Sequence, residues 1–357
     1  MTILPIDAKQ KRLGILGDDE LVAIYGRPHF THEDRCNYFF LSHPEKELLQ
    51  VLRSIRSQAY FILQLGYFKA KHRFFKFDIF EVMEDLQYIL KIHFENSIIT
   101  DLNSIKKPAR LKQQQMILEL LNYHICDAKI RRQLETKART AAIVCGKPIF
   151  IFREIINYLL EQHVIVPGYT FMQETVGKAI TYEQNRLIII MQNNLEQSDK
   201  EALNQLLKDS LGLYEITQIK HEPKDFSLGE IKREINRGKQ IKHLYLITPK
   251  IMPLLDISKE SIKYYASLVD YYSVYKLKQL NEWIGFVYLL CFVIHRYQRI
   301  HDNLINTLIY NVRHFIDESK FIAKEHVYQR YTENSQNIKK ADQVLQWKLQ
   351  LFWQRLL

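Results

Sequence analysis

Behind Gly66 the chain sets Lys69, Lys71, His72 and Arg73 among Tyr67, Phe68, Phe74 and Phe75, in the run YFILQLGYFKAKHRFF. Cations and rings so interleaved can do one kind of chemistry unaided: the rings anchor the segment and the cations neutralise an anion such as a backbone phosphate. The surplus is local. Residues 44–76 carry seven Lys/Arg against two acids, and residues 104–140 carry nine against three. The whole chain of 357 residues has a net charge of +10, so outside these windows it is nearly neutral. Candidate phosphate contacts are Lys46, Arg53, Arg56, Lys69, Lys71 and Arg73 in the first window, and Lys106, Lys107, Arg110, Lys112, Arg131 and Arg132 in the second. Solvated helix faces produce the same counts, so charge alone leaves both readings open.

A second pattern concerns base reading. In FREIINYLLEQHVIVPGYTFMQETVGKAI, Ile155, Ile156, Leu159 and Leu160 repeat at helical spacing, Pro167-Gly168 breaks the chain, and a second helix follows. A helix-turn-helix unit has this form, because its second helix must expose side chains near its amino end to reach base edges. Thr170, Gln173, Glu174 and Lys178 are the candidates for that exposed face. Any two helices joined by a short turn share the pattern.

Other chemistries leave no trace. The chain has no glycine-rich phosphate loop, no HExxH and no GxSxG. His295, His301 and Asp302 lie in HRYQRIHDN, but a spacing of six turns the two histidines to different helix faces, which favours a structural role over a metal site. Cys36, Cys126, Cys145 and Cys291 lie far apart and form no CxxC, the pattern of free thiols. The sequence therefore predicts no cofactor, no metal and no catalytic residue. Tyr264, Tyr265, Tyr271, Tyr272 and Tyr275 can stack on bases or pack with their hydroxyls outward.

The elements that must carry these residues are helical. With 47% hydrophobic and 25% charged residues the chain can bury a core, and 11 glycines and 9 prolines are few for a fold rich in turns. The fold class expected is mainly α, in several helical bundles with helix-turn-helix-like modules. Helices are predicted at 18–25, at 31–41 with Thr31 as cap, from Pro44 through Ser57, at 78–93, 111–122, 127–145, 148–163 and 170–193. Gly66 reads as a helix stop. Glu215–Lys220 and His243–Ile247 read as short strands or extended connectors. Helices return at 258–276 and 282–295, before a mixed polar tail. Boundaries at the basic connector 104–110 and at the weakly patterned 196–250 give four segments: 1–103 and 104–195 as DNA-binding modules, 196–250 as a connector, and 251–357 as a linker or dimerisation region. Trp283–Ile294 is too short for a membrane span of roughly 20 residues, and Met1–Gln10 lacks a signal-length apolar run, so a soluble, intracellular protein is expected.

Three blocks carry a family resemblance: RSQAYFILQLGYFKAKHRFF with the weaker LVAIYGRPHFTHEDRCNYFFLS before it, VIVPGYTFMQ, and SIKYYASLVDYYSVYKLKQL with LLCFVIHRYQRIHDNLINTLIYNVR. Together they resemble the amino-terminal part of the TnpA transposases of the Tn-three family, the replicative class II transposons of bacteria. The resemblance implies helical modules that recognise the terminal inverted repeats of the transposon as double-stranded DNA. It also implies a nucleoid-associated location and a partner, either a second copy or a full-length transposase. The family's metal-dependent acidic triad belongs to an RNase H-like region beyond Leu357, so the resemblance places no enzyme chemistry on these residues. Residues 184–250 show little of it. A reading of another class stays open, in which a helical scaffold uses WIGFVYLLCFVI and the tyrosine-rich helix before it as a contact surface.

Overall fold

The computed structural model describes residues 13–95, 97, 105–210 and 213–356. Met1–Gln10 and Ser104, which figured in the sequence reading, lie outside them. The described chain is mainly α-helical and forms two units, 1–195 with 251–268 and 280–288, and 196–250 with 269–279 and 289–357.

The first unit holds two apolar cores. One surrounds α4 (Ile55–Lys71), whose residues 59–68 are all buried. A helix apolar on every side must be wrapped, and α2 (His32–Tyr38), α3 (His43–Gln50), α5 (Met83–His93) and α6 (Lys107–Leu121) wrap it; α1 (Asp18–Tyr25) precedes them in the chain. Here Gly66 does not stop the helix. A Cβ at that position would lie 2.5 Å from the Phe39 ring, so glycine is the residue that lets this ring rest on the α4 backbone. The helix ends at His72, which takes the left-handed conformation at φ 50°. Past that turn the aromatic run folds back: Phe74 stacks on Phe68 at 4.7 Å and Phe77 on Tyr60 at 4.9 Å. The helix predicted from Pro44 through Ser57 is two, because Ser54 caps α4 by accepting from the Ser57 amide at 3.2 Å. Gln58 then donates to the carbonyls of Leu49 and Leu52, both at 2.9 Å, closing the end of α3. Thr31 caps α2 as expected, accepting from the Asp34 amide at 3.2 Å.

The second core joins α1 to α7 (Ala128–Val144), α8 (Pro148–Glu161) and α9 (Tyr169–Asn194). Asp127 caps α7 through the Ile130 amide at 2.8 Å, and Ala138, Ala141 and Ala142 let the neighbouring helices approach closely. The Tyr169 hydroxyl accepts from the amides of Ile15 and Leu16 at 3.2 and 3.1 Å, which ties the segment before α1 to α9. Because α6 buries Ile117 and Leu118 in the first core, that core runs past the expected boundary at 104. Between the cores, the His124 amide donates to the His163 carbonyl at 2.8 Å and the Ile165 amide to the His124 carbonyl at 3.0 Å, a one-residue parallel bridge.

In the second unit, α10 (Gln197–Gln205) precedes a two-residue antiparallel pair, β1 (Asp209–Ser210) with β2 (Leu213–Tyr214), in which Asp209 faces Tyr214. Neither predicted strand forms. Glu215–Lys220 is α11, and His243–Ile247 lies at the end of α12 (Leu228–Tyr245). The apolar spacing explains both corrections: Ile216 with Ile219, and Leu244 with Ile247, are three apart, so each pair buries one face only if the backbone is helical. The chain continues through α13 (Thr248–Leu255), α14 (Lys259–Tyr271), α15 (Val274–Lys278) and α16 (Glu282–Leu356), in which the expected polar tail is continuous helix. Arg296, 2% exposed, donates to the carbonyls of Ile219 and His221, both at 2.7 Å, and to Glu234 at 3.1 Å. His301, in the motif weighed as a metal site, donates instead to the Tyr297 carbonyl of its own helix at 2.8 Å.

Candidate nucleic-acid interface

Helix macrodipoles sort the cations. An α-helix is electropositive at its amino end, so acids are favoured in the first turn and lysines there are opposed. Four helices follow that rule: α1 opens with Asp18, Asp19 and Glu20, α2 with Glu33 and Asp34, α3 with Glu45, and α5 with Glu84 and Asp85. Among the described helices several others open without an acid, and of these α6 and α7 gather the most cations at that end. α6 opens on Lys106 and Lys107, followed by Arg110 and Lys112, with no acid in its first turn and no side-chain cap. α7 has its Asp127 cap, but Lys129, Arg131 and Arg132 follow without an acid. Lys106, Lys107, Lys112, Arg131 and Arg132 are exposed, while Arg110 is half-buried beside the Tyr60 hydroxyl. A helix amino end crowded with cations is an anion-binding arrangement, since free amides and positive side chains act together.

On the helix-turn-helix-like unit, residues 162–168 connect α8 to α9. The predicted reading face is only partly presented. Thr170 and Glu174 are exposed, but Gln173 is 9% exposed and donates to the Leu13 carbonyl at 2.8 Å, because it shares the inward face of α9 with Met172 and Val176. Lys178 is exposed and pairs with Glu135 of α7 at 3.2 Å. Two further contacts escaped sequence reading: Arg131 lies over the Phe171 ring at 5.3 Å and Arg139 over the Tyr182 ring at 4.7 Å. Both join α7 to α9, and only knowledge of the packing could have paired them.

The cations behind Gly66 are held by the protein itself. Lys69 pairs with the buried Glu45 at 2.7 Å and donates to the Phe40 carbonyl at 3.1 Å, so it does not stand free toward a phosphate. Lys71 donates to the Ala23 carbonyl, and Arg73 lies 4.6 Å from the centre of the Tyr25 ring. Lys46 and Arg53 are exposed on α3 and in the turn after it, and Arg56 is half-buried on α4. The His72 ring stacks on Tyr123 at 5.4 Å, and Tyr123 on His163 at 5.1 Å. Burial holds His72 below the usual histidine range, as does the neighbouring His163. Among the described residues no group of three or more His, Cys, Asp or Glu is placed to hold a metal ion. No described helix is long and apolar enough to cross a membrane.

Residues 15–179 match a family model described as a domain of unknown function, DUF4158, which covers less than half of the chain. The match has a structural meaning: Ile15 and Ala179, its first and last residues, both lie in the second core, so the matched stretch encloses both cores of the first unit. No curated protein matches the chain.

Proposed function

We propose that this chain binds double-stranded DNA, as the end-recognition part of a transposase of the Tn-three type. The observation that carries the reading is the reversal at α6 and α7, where cations are gathered at amino ends that the helix dipole already makes positive. Each such lysine or arginine opposes the dipole by about 0.3–1 kcal/mol, which a polyanion on the same surface offsets. Phosphate contacts at these two helix starts position the protein. Thr170 and Glu174, exposed at the start of α9, are the candidates for reading bases. The resemblance of the opening blocks to transposon-end-binding proteins supplies the class of target; terminal inverted repeats and association with a full-length transposase are part of the proposal.

The test is fluorescence anisotropy with a mixed-sequence 40-base-pair duplex across a salt series. Log affinity is expected to fall with log salt by about 0.9 per phosphate neutralised, and replacing Lys106, Lys107, Arg131 and Arg132 together by glutamine is expected to flatten that slope by about three to four. A wild-type chain that fails to bind the duplex at low salt would overturn the proposal.

A second reading, a protein-interaction scaffold, loses the surface expected for it, because Ile284 and residues 286–293 of WIGFVYLLCFVI are buried, and draws support instead from later in α16, where Ile305, Ile309, Val312 and Ile316 recur at helical spacing and are 56, 43, 47 and 48% exposed. Sedimentation at rising concentration, with and without duplex, separates the two readings. A scaffold associates without DNA and is indifferent to it.

A further inference from the structure

Beyond residue 300, α16 has two unlike sides. On one, Thr307 is buried and Asn303 donates to Glu222 at 3.2 Å and to Glu234 at 3.0 Å, so this side meets the rest of the second unit. Two residues from Thr307 in either direction, and so about 200° round the helix, Ile305 and Ile309 face outward. That outward side repeats. Ile305, Ile316, Val327, Ile338 and Leu349 stand eleven residues apart and are all exposed. Val312, Ala323, Asn334 and Leu345 form a second such column, and Ile309, Lys320, Tyr331 and Asp342 a third, all of them exposed as well. Eleven residues make about three turns, so the columns merge into one stripe that winds slowly round the helix, the pattern of a seam in a right-handed supercoil. A merely solvated face has no reason to keep such a period.

Two members of the stripe are charged, and they select its partner. Lys320 stands eleven residues before Tyr331, and Asp342 eleven after it. In a parallel pair in register each would meet its own like charge. In an antiparallel pair with Tyr331 at the two-fold axis, Lys320 of each copy meets Asp342 of the other, and a polar pair in a seam fixes its register. The same register sets Val327 against Asn334, Ala323 against Ile338 and Ile316 against Leu345. We infer that α16 pairs antiparallel with α16 of a second copy of this chain along this stripe, centred on Tyr331. Self-complementarity about one point is what a two-fold contact demands, since residue i meets j and j meets i; an unrelated partner has no need of it. From Val312 to Leu349 the strip is about 57 Å long and about 10 Å wide, which over two copies comes to about 1,200 Å², enough for a specific interface. Lys320 lies 3.6 Å from Asp317 on its own helix, but both are exposed and such a pair is worth little, so it does not hold Lys320 from a facing Asp342. Pairing of this kind is independent of whether the chain binds DNA.

Sedimentation velocity of the full chain without DNA, over a rising concentration series, tests the pairing, with far-ultraviolet circular dichroism to verify that each variant stays helical. The wild type is expected to pass from monomer to dimer. Lys320→Asp and Asp342→Lys each turn both facing pairs from attraction to repulsion, and each should weaken the dimer by about tenfold or more. The double variant Lys320→Asp/Asp342→Lys sets opposite charges across the seam again and should recover the wild-type affinity, a rescue that a parallel pair would not show. Ile338→Glu, which puts a new charge against Ala323, should keep the chain monomeric. A wild type that stays monomeric throughout, leaving the stripe to another protein, overturns the inference. So does an assembly larger than two, a dimer that the single charge variants and Ile338→Glu leave unchanged, or one that the double variant fails to restore.

Discussion

At the scale of single residues, burial and close packing set the behaviour to be measured. His72 and His93 are both held below the ordinary histidine value of 6.5, chiefly by burial. The unfolded chain therefore binds protons that the folded chain refuses. Their contribution to stability is complete above about pH 6.5 and is lost as pH falls from there toward their folded values. Urea midpoints should fall between pH 7.5 and 5.5. His72→Asn, which tolerates the left-handed backbone at this cap, should flatten that dependence, and an unchanged profile would rule out His72 as its source. Gly66 makes a sharper case. Gly66→Ala raises helix propensity by about 1 kcal/mol but drives a methyl into the Phe39 ring, and overpacking of this kind costs roughly 1–3 kcal/mol. Net destabilisation is expected in urea titration, the reverse of the usual glycine-to-alanine gain inside a helix.

At the scale of elements, a direct conflict between stability and binding is expected at α6. Lys106 occupies the cap position without capping, so Lys106→Asp supplies the missing acceptor and removes a charge the dipole opposes. A gain of about 1 kcal/mol in chemical denaturation should accompany weaker duplex binding; loss of both, or of neither, would leave the reversed charge pattern unexplained. Much of this architecture was legible in the sequence, because caps and apolar periods are local signals. Thr31, Asp127 and Pro148 all mark helix starts where they were expected. What failed were inferences in which one residue type has two uses. Gly66 could end a helix or admit a ring, and the isoleucines of 215–220 suit a strand by type but a helix by spacing. The candidate site was less legible still. Whether a lysine faces solvent, as Lys107 does, or a buried glutamate, as Lys69 does, depends on which distant segment packs beside it.

At the scale of the whole molecule, the two units predict separable unfolding. In the second unit, Arg296 is almost fully buried against Glu234, and Arg237 pairs with the same glutamate at 2.8 Å. Arg296→Ala leaves the buried Glu234 with only Arg237 and Asn303, and breaking a buried pair in this way costs roughly 3–5 kcal/mol. Calorimetry should show one transition moved down and the other in place; a uniform shift of the whole profile would mean that the units melt as one. A last consequence concerns α16. Along it Leu308, Phe315, Phe321, Val327, Tyr328, Tyr331 and Trp347 are each about half or more exposed. Dyes that fluoresce in greasy surroundings will settle on such a surface in the native protein. A melting curve recorded with one of them would begin bright, and circular dichroism is the sounder reporter.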